Sequence, residues 1–188
     1  MDELSQSGTP FFFLVDFLME NVEVFNEEEL EESGLLIDFQ KFKKTDESLG
    51  KPLDISFQSF PQSEESYRKG FDLVQQNLQA GNSYLTNYTR KTEVKTNLTL
   101  NEIFYLSQSK YKVLYPDRFV FFSPETFVEI SGDKIFTHPM KGTIDAGTEN
   151  AVEVLKADVK EKAEHYTVVD LLRNDLSMVA DEVKLDEF

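Results

Sequence analysis

Apolar and polar positions change rhythm several times along the chain, and each change predicts an element. Phe11 to Phe17 is a short aromatic run bounded by Gly8-Thr9-Pro10, so it is expected to be a buried strand. Gly34 to Phe39 reads as a second strand and Leu53 to Phe57 as a third, with a polar turn region over 43–52. After Pro61 the period becomes helical. Tyr67, Phe71, Val74 and Leu78 form one stripe, and Gly81 follows as a C-terminal stop. Ser83 to Thr92 alternates and is rich in Tyr and Thr, which predicts a strand. Thr99-Leu100-Asn101-Glu102 is a capping box, opening a short helix whose buried side is Ile103, Phe104 and Leu106.

A β-meander is expected next, with strands Arg118–Phe122, Thr126–Ile130 and Lys134–Thr137 joined at Ser123-Pro124-Glu125 and Gly132-Asp133. From about Glu149 the helical period returns, with Val159, Ala163, Tyr166 and Val169 on one face, and continues through Leu172 and Leu176. Lys184 to Phe188 reads as the start of a strand. Strands and helices in this order make an α+β protein, with antiparallel sheets and packed helices.

Composition narrows the function classes. Of the 188 residues 40% are hydrophobic, with 17 Phe, enough for a folded core. The formal net charge of −16 and the lack of any basic block argue against a nucleic-acid partner and against attraction to anionic membranes. The basic enrichments, Lys41 with Lys43 and Lys44 and Arg90 with Lys91, read as solvated surface. With no Cys, disulfides and thiolate metal sites are excluded. The acidic N-terminus has no signal-peptide pattern, and the longest apolar run, Phe11 to Met19, contains Asp16. A cytoplasmic protein is expected.

Three places carry candidate chemistry. Lys141, in His138-Pro139-Met140-Lys141-Gly142-Thr143, reads as a surface residue on composition alone; as a nucleophile it needs burial or a nearby cation to expose its lone pair. Gly142 allows close backbone approach to a ligand, and Thr143 offers a hydroxyl and an amide. Glu125 is a turn carboxylate, or a general acid if its surroundings are apolar. Glu164 shares a helical face with Val168, Leu171 and Asp175, a mixture suited to a pocket wall. As a Mg²⁺ ligand it needs further oxygen donors and waters. His165 alone is no metal signature, and Asp170, Arg173 and Asn174 read as an intrahelical polar cluster.

Five segments in order resemble the chorismate-utilising enzymes: Ala80-Gly81-Asn82-Ser83-Tyr84-Leu85-Thr86-Asn87, similar to the family's G-D-x-Y-Q-x-N; Ser123-Pro124-Glu125-Thr126-Phe127; Pro139-Met140-Lys141-Gly142-Thr143; Ala163-Glu164-His165; and Val169-Asp170-Leu171-Leu172-Arg173-Asn174-Asp175-Leu176. The resemblance covers residues 64–188 and is looser over 1–60. It implies one incomplete chorismate-binding domain over 1–188, the N-terminal part of that fold. Lys141 is similar to the lysine of P-I-K-G-T in aminodeoxychorismate synthases, where anthranilate, isochorismate and salicylate synthases have Ala. The resemblance therefore implies component I of aminodeoxychorismate synthase, with Lys141 as nucleophile and Glu125 as acid. Gly142 and Thr143 would contact chorismate, Glu164 would hold Mg²⁺, and a glutamine amidotransferase would supply ammonia.

Departures from the family pattern are Leu85 in place of Gln, Asp145-Ala146 in place of Pro-Arg, Ser177-Met178 in place of Gly-Arg, and a shortened proline segment near Tyr115-Pro116-Asp117. They bear on fine specificity and on any tryptophan site. The family's second half, with a further magnesium Glu and substrate-holding Arg and Tyr, has no counterpart here, so the chain alone is expected to be inactive. Anthranilate synthase component I and a non-catalytic remnant are the alternatives.

Overall fold

The computed structural model describes residues 2–39, 42–44, 54–123 and 125–186. The order is α1 (Asp2–Gln6), β1 (Phe12–Val15), β2 (Val22–Phe25), α2 (Glu27–Glu32), β3 (Leu36–Phe39), β4 (Phe42–Lys44), β5 (Phe57–Phe60), α3 (Glu64–Gln79), β6 (Glu93–Thr96), α4 (Leu100–Leu106), β7 (Tyr111–Tyr115), β8 (Phe119–Ser123), β9 (Glu129–Ser131), β10 (Lys134–Phe136), α5 (Ala151–Ala157) and α6 (Val159–Leu176). Packing divides the chain into two compact units: residues 1–36, 44–108 and 113–120, and residues 37–43, 109–112 and 121–188. Four strands form one sheet in the order β4-β3-β7-β8, and three two-stranded sheets pair β1 with β2, β5 with β6, and β9 with β10. The three two-stranded pairs are antiparallel. The mixture of helices and antiparallel sheets is the expected α+β class.

Local chemistry sets the element ends of the first unit. Thr99 caps α4 as a capping box, its hydroxyl taking the Glu102 amide while Glu102 takes the Thr99 amide at 2.7 Å. Asn26 and Glu29 do the same for α2. Helix α3 closes at Gly81, φ +74°, with the Gly81 amide on the Leu78 carbonyl and the Asn82 amide on the Asn77 carbonyl. These two bonds satisfy carbonyls the helix would otherwise leave open. The core of this unit gathers Leu36, Phe104 and Leu114, with Leu100, Tyr105 and Val120 against them. Glu23 on β2 takes hydrogen bonds from Tyr115 at 2.8 Å and Arg118 at 2.9 Å, and Arg118 lies 4.2 Å over the Tyr115 ring.

Several expectations are corrected. No strand forms over Ser83–Thr92; the strand is β6, starting at Glu93. Alternation of Tyr and Thr is β-favourable only where a partner and a surface to cover are supplied. The third strand is Phe57–Phe60, not 53–57, and Leu53 lies outside the described residues. The turn expected over 43–52 begins with the end of β4 and lies outside the described residues from 45 on, as do Lys41, Pro124 and residues 187–188. Residues 184–186 are not strand. The expected meander is broken: β8 neighbours β7, a strand absent from the sequence expectations, while β9 pairs only with β10.

In the second unit, α6 turns a different face inward from the expected one. Val169 is buried, but Val159 is 81% exposed and Tyr166 is exposed. The covered positions are Glu161, Glu164, His165, Val168, Val169, Leu172 and Leu176, a helical stripe of its own. Apolar character was the wrong guide because the stripe carries two acids and a histidine.

Candidate active site

All five expected site residues lie in the second unit. Glu125 follows β8. Its amide donates to the Ser123 hydroxyl at 3.1 Å, and the Ser123 carbonyl accepts from the Ser109 hydroxyl at 3.1 Å. On the other side, the Thr126 hydroxyl is bonded by Lys110 Nζ at 2.7 Å and by the Tyr111 hydroxyl. Glu125 thus has a hydrogen-bonded neighbour on either side, while its own side chain is exposed, without the apolar surroundings a general acid calls for.

Lys141, Gly142 and Thr143 sit in the irregular segment between β10 and α5. That segment is tied to the Glu125 region, since the Thr137 hydroxyl donates to the Phe127 carbonyl at 2.9 Å. Lys141 and Thr143 are exposed, and Gly142 is half-buried. Gly142 has φ +85°, a conformation that favours glycine. A Cβ there would lie 3.2 Å from Leu155 Cδ1 and 3.4 Å from both Cβ and Oε2 of Glu161. The turn therefore rests on the junction of α5 and α6, where Asp158 caps α6 through the Glu161 amide at 2.9 Å.

Glu164 stands one turn further along α6. Lys160 Nζ spans Glu161 Oε1 at 3.0 Å and Glu164 Oε1 at 3.4 Å. The carboxylate nearest Gly142 is Glu161, which the sequence reading overlooked; its spacing of three from Glu164 was the available signal. Lys110, Tyr111 and Thr126 were overlooked too, because their association depends on β7. The two carboxylates present hard oxygen donors of the type Mg²⁺ takes, although among the described residues no group of three or more potential ligands is gathered. The first segment of the family resemblance, residues 80–87, lies in the other unit. An open recess of about 470 Å³ lined by Asp2, Glu3, Val22 and Val24 contains none of the site residues. No helix among the described residues is long and apolar enough to cross a membrane.

Comparison with known proteins agrees with these motifs. Residues 15–188 match the family of chorismate binding enzymes. An uncharacterised PabA-like protein of Haemophilus influenzae is 45% identical over 180 residues, covering 96% of this chain and 55% of its own. A second, from Pasteurella multocida, is 43% identical over 190 residues, covering 100% and 58%. The chain thus spans little more than half the length of these relatives. Anthranilate synthase component 1 of Arthrobacter globiformis is 49% identical over 63 residues, 30% of this chain and 12% of its own. No solved structure matches.

Proposed function

Because the chain belongs to the family of chorismate binding enzymes, we propose that a protein carrying it is component I of an aminodeoxychorismate synthase, which aminates chorismate at C4. The observation that carries this reading is Lys141. Its place in the motif is matched by its place in the fold: the amine lies in a turn whose next residue, Gly142, rests against Glu161, and that turn is tied through Thr137 to the segment carrying Glu125. The amine is exposed, so the burial or nearby cation that a nucleophilic lysine needs is not supplied by the described residues and would have to come with the bound substrate or the rest of the protein. The Lys141 amine adds at C2 of chorismate as the C4 hydroxyl departs, taking a proton from Glu125 and leaving as water. Ammonia then adds at C4 and the bond between C2 and Lys141 breaks, returning the amine, and the proton shed by the new ammonium group goes back to Glu125. Chorismate and ammonia give 4-amino-4-deoxychorismate and water. Gly142 and Thr143 face the substrate with backbone and hydroxyl.

Glu164, with Glu161 beside it, would hold Mg²⁺. The donor chemistry fits, since this cation is commonly held by one or two carboxylates with waters and substrate oxygens, and the missing Cβ of Gly142 leaves space at Glu161 Oε2. Bound there, the ion would offset the charge of a chorismate carboxylate in a chain whose net charge is −16. Ammonia would come from a glutamine amidotransferase partner, as the chain has no Cys for thiol glutaminase chemistry.

The match to anthranilate synthase component 1 over 63 residues favours a second reading, in which ammonia adds at C2. One experiment separates the two. A protein carrying the chain is assayed with chorismate, ammonium and Mg²⁺, and products are resolved by chromatography. Aminodeoxychorismate is expected, and it should disappear in Lys141→Ala. Anthranilate from the unmodified protein would establish the second reading, and unchanged amination by Lys141→Ala would remove Lys141 from the mechanism.

A further inference from the structure

We propose that Lys160 is the resident cation of the Glu161–Glu164 carboxylate pair, and that a divalent metal enters the site by displacing it. The inference rests on the reading of Glu164 as a metal-holding residue. A single ammonium spans the two acids, at 3.0 Å from Glu161 and 3.4 Å from Glu164. It occupies oxygens that a metal would need, so ammonium and metal compete for the same electrons.

The position of Lys160 makes it easy to displace. It is the second residue of α6, where the helix presents its positive end and a cation is disfavoured. Its pairing with Glu164 runs lysine first, the weaker order for residues four apart. Lys160 therefore does little for the helix itself. Its side chain is 74% exposed, so on release the ammonium passes into water without leaving a buried charge behind. Glu161 behaves differently. Its side chain is 23% exposed, and Oε2 lies 3.4 Å from the position a Cβ on Gly142 would take. When Lys160 leaves, the carboxylate stays beside the Lys141–Thr143 turn.

Mn²⁺ is the probe, titrated into the full 188-residue chain while free ion is followed by electron paramagnetic resonance. Lys160→Met is expected to bind about two- to fivefold more tightly, the range an exposed ion pair supports. Lys162→Met removes the same charge from an exposed position on the same helix and is expected to change affinity by less than about 1.5-fold, showing that contact rather than net charge is responsible. Glu164→Gln is expected to lose saturable binding. If Glu164→Gln loses binding while Lys160→Met matches Lys162→Met or binds more weakly, the displacement idea is overturned and the metal site stands. If Mn²⁺ binding is absent from the unmodified chain, displacement of Lys160 at this pair is overturned; if binding is unchanged in Glu164→Gln, the metal reading of Glu164 falls with it.

Discussion

Gly142 leaves little room for a side chain between itself and Glu161: a Cβ on Gly142 would come within 3.4 Å of Glu161 Oε2, and within 3.2 Å of Leu155 Cδ1. Gly142→Ala meets two obstacles. Its φ of +85° disfavours a side chain, at about 1–2 kcal/mol, and Leu155 must yield. The variant is expected to lose about that much stability and to lift the Lys141 turn away from α6. Denaturant unfolding and amide exchange across 139–143 would show this. Exchange rates identical to the parent would mean that the turn does not depend on the contact.

Glu125 is anchored through its own amide on Ser123 and through the neighbouring Thr126 hydroxyl, while its carboxylate is exposed rather than in apolar surroundings, so its role as an acid has to be tested directly. Glu125→Gln preserves shape and removes the proton. In a protein carrying the chain, single-turnover amination should fall by about 10²–10⁴-fold. A fall of under about twofold, set against that range, would mark Glu125 as a turn residue only.

Glu23 gives a pH signature. Hydrogen bonds from Arg118 and then Tyr115 hold its carboxyl below the usual value of 4.5. The folded value is lower than the unfolded one. Its stabilisation is therefore complete above about pH 4.5 and disappears as pH falls through the lower folded value. Glu23→Gln should be less stable than the parent at pH 6, and the gap should narrow as pH falls below 4.5. Urea midpoints across that range test it, and a gap independent of pH would rule out the linkage.

On α3, an alanine Cβ at Gly70 would fall 1.9 Å from the Tyr88 hydroxyl. Replacing a mid-helix glycine by alanine normally stabilises by roughly 0.5–1 kcal/mol. Here Gly70→Ala must first push Tyr88 off the helix, away from the Tyr67 ring 5.2 Å distant. It should therefore be neutral or destabilising in the parent and stabilising in a Tyr88→Leu background. Additive effects in thermal unfolding would show that Tyr88 does not occupy this position in solution.

What the sequence determined by itself was mostly local. The capping box at Thr99, the stop at Gly81, the helix after Pro61 and the turn at Gly132 depend on groups within a few residues of one another, so their chemistry is written in order along the chain. The ordered motifs likewise identified the family, and with it the fold class. What only the tertiary structure decided was which surfaces meet. Ser83–Thr92 has strand character but no ladder, whereas Tyr111–Tyr115, unremarked in the sequence, carries the buried Val113 and Leu114. The inward stripe of α6 is set by what packs on it and includes Glu161, whose role beside Gly142 appears only when a loop about 20 residues away folds back onto the helix. Pairing and burial are properties of two distant segments at once, and a single segment read alone records only its own half.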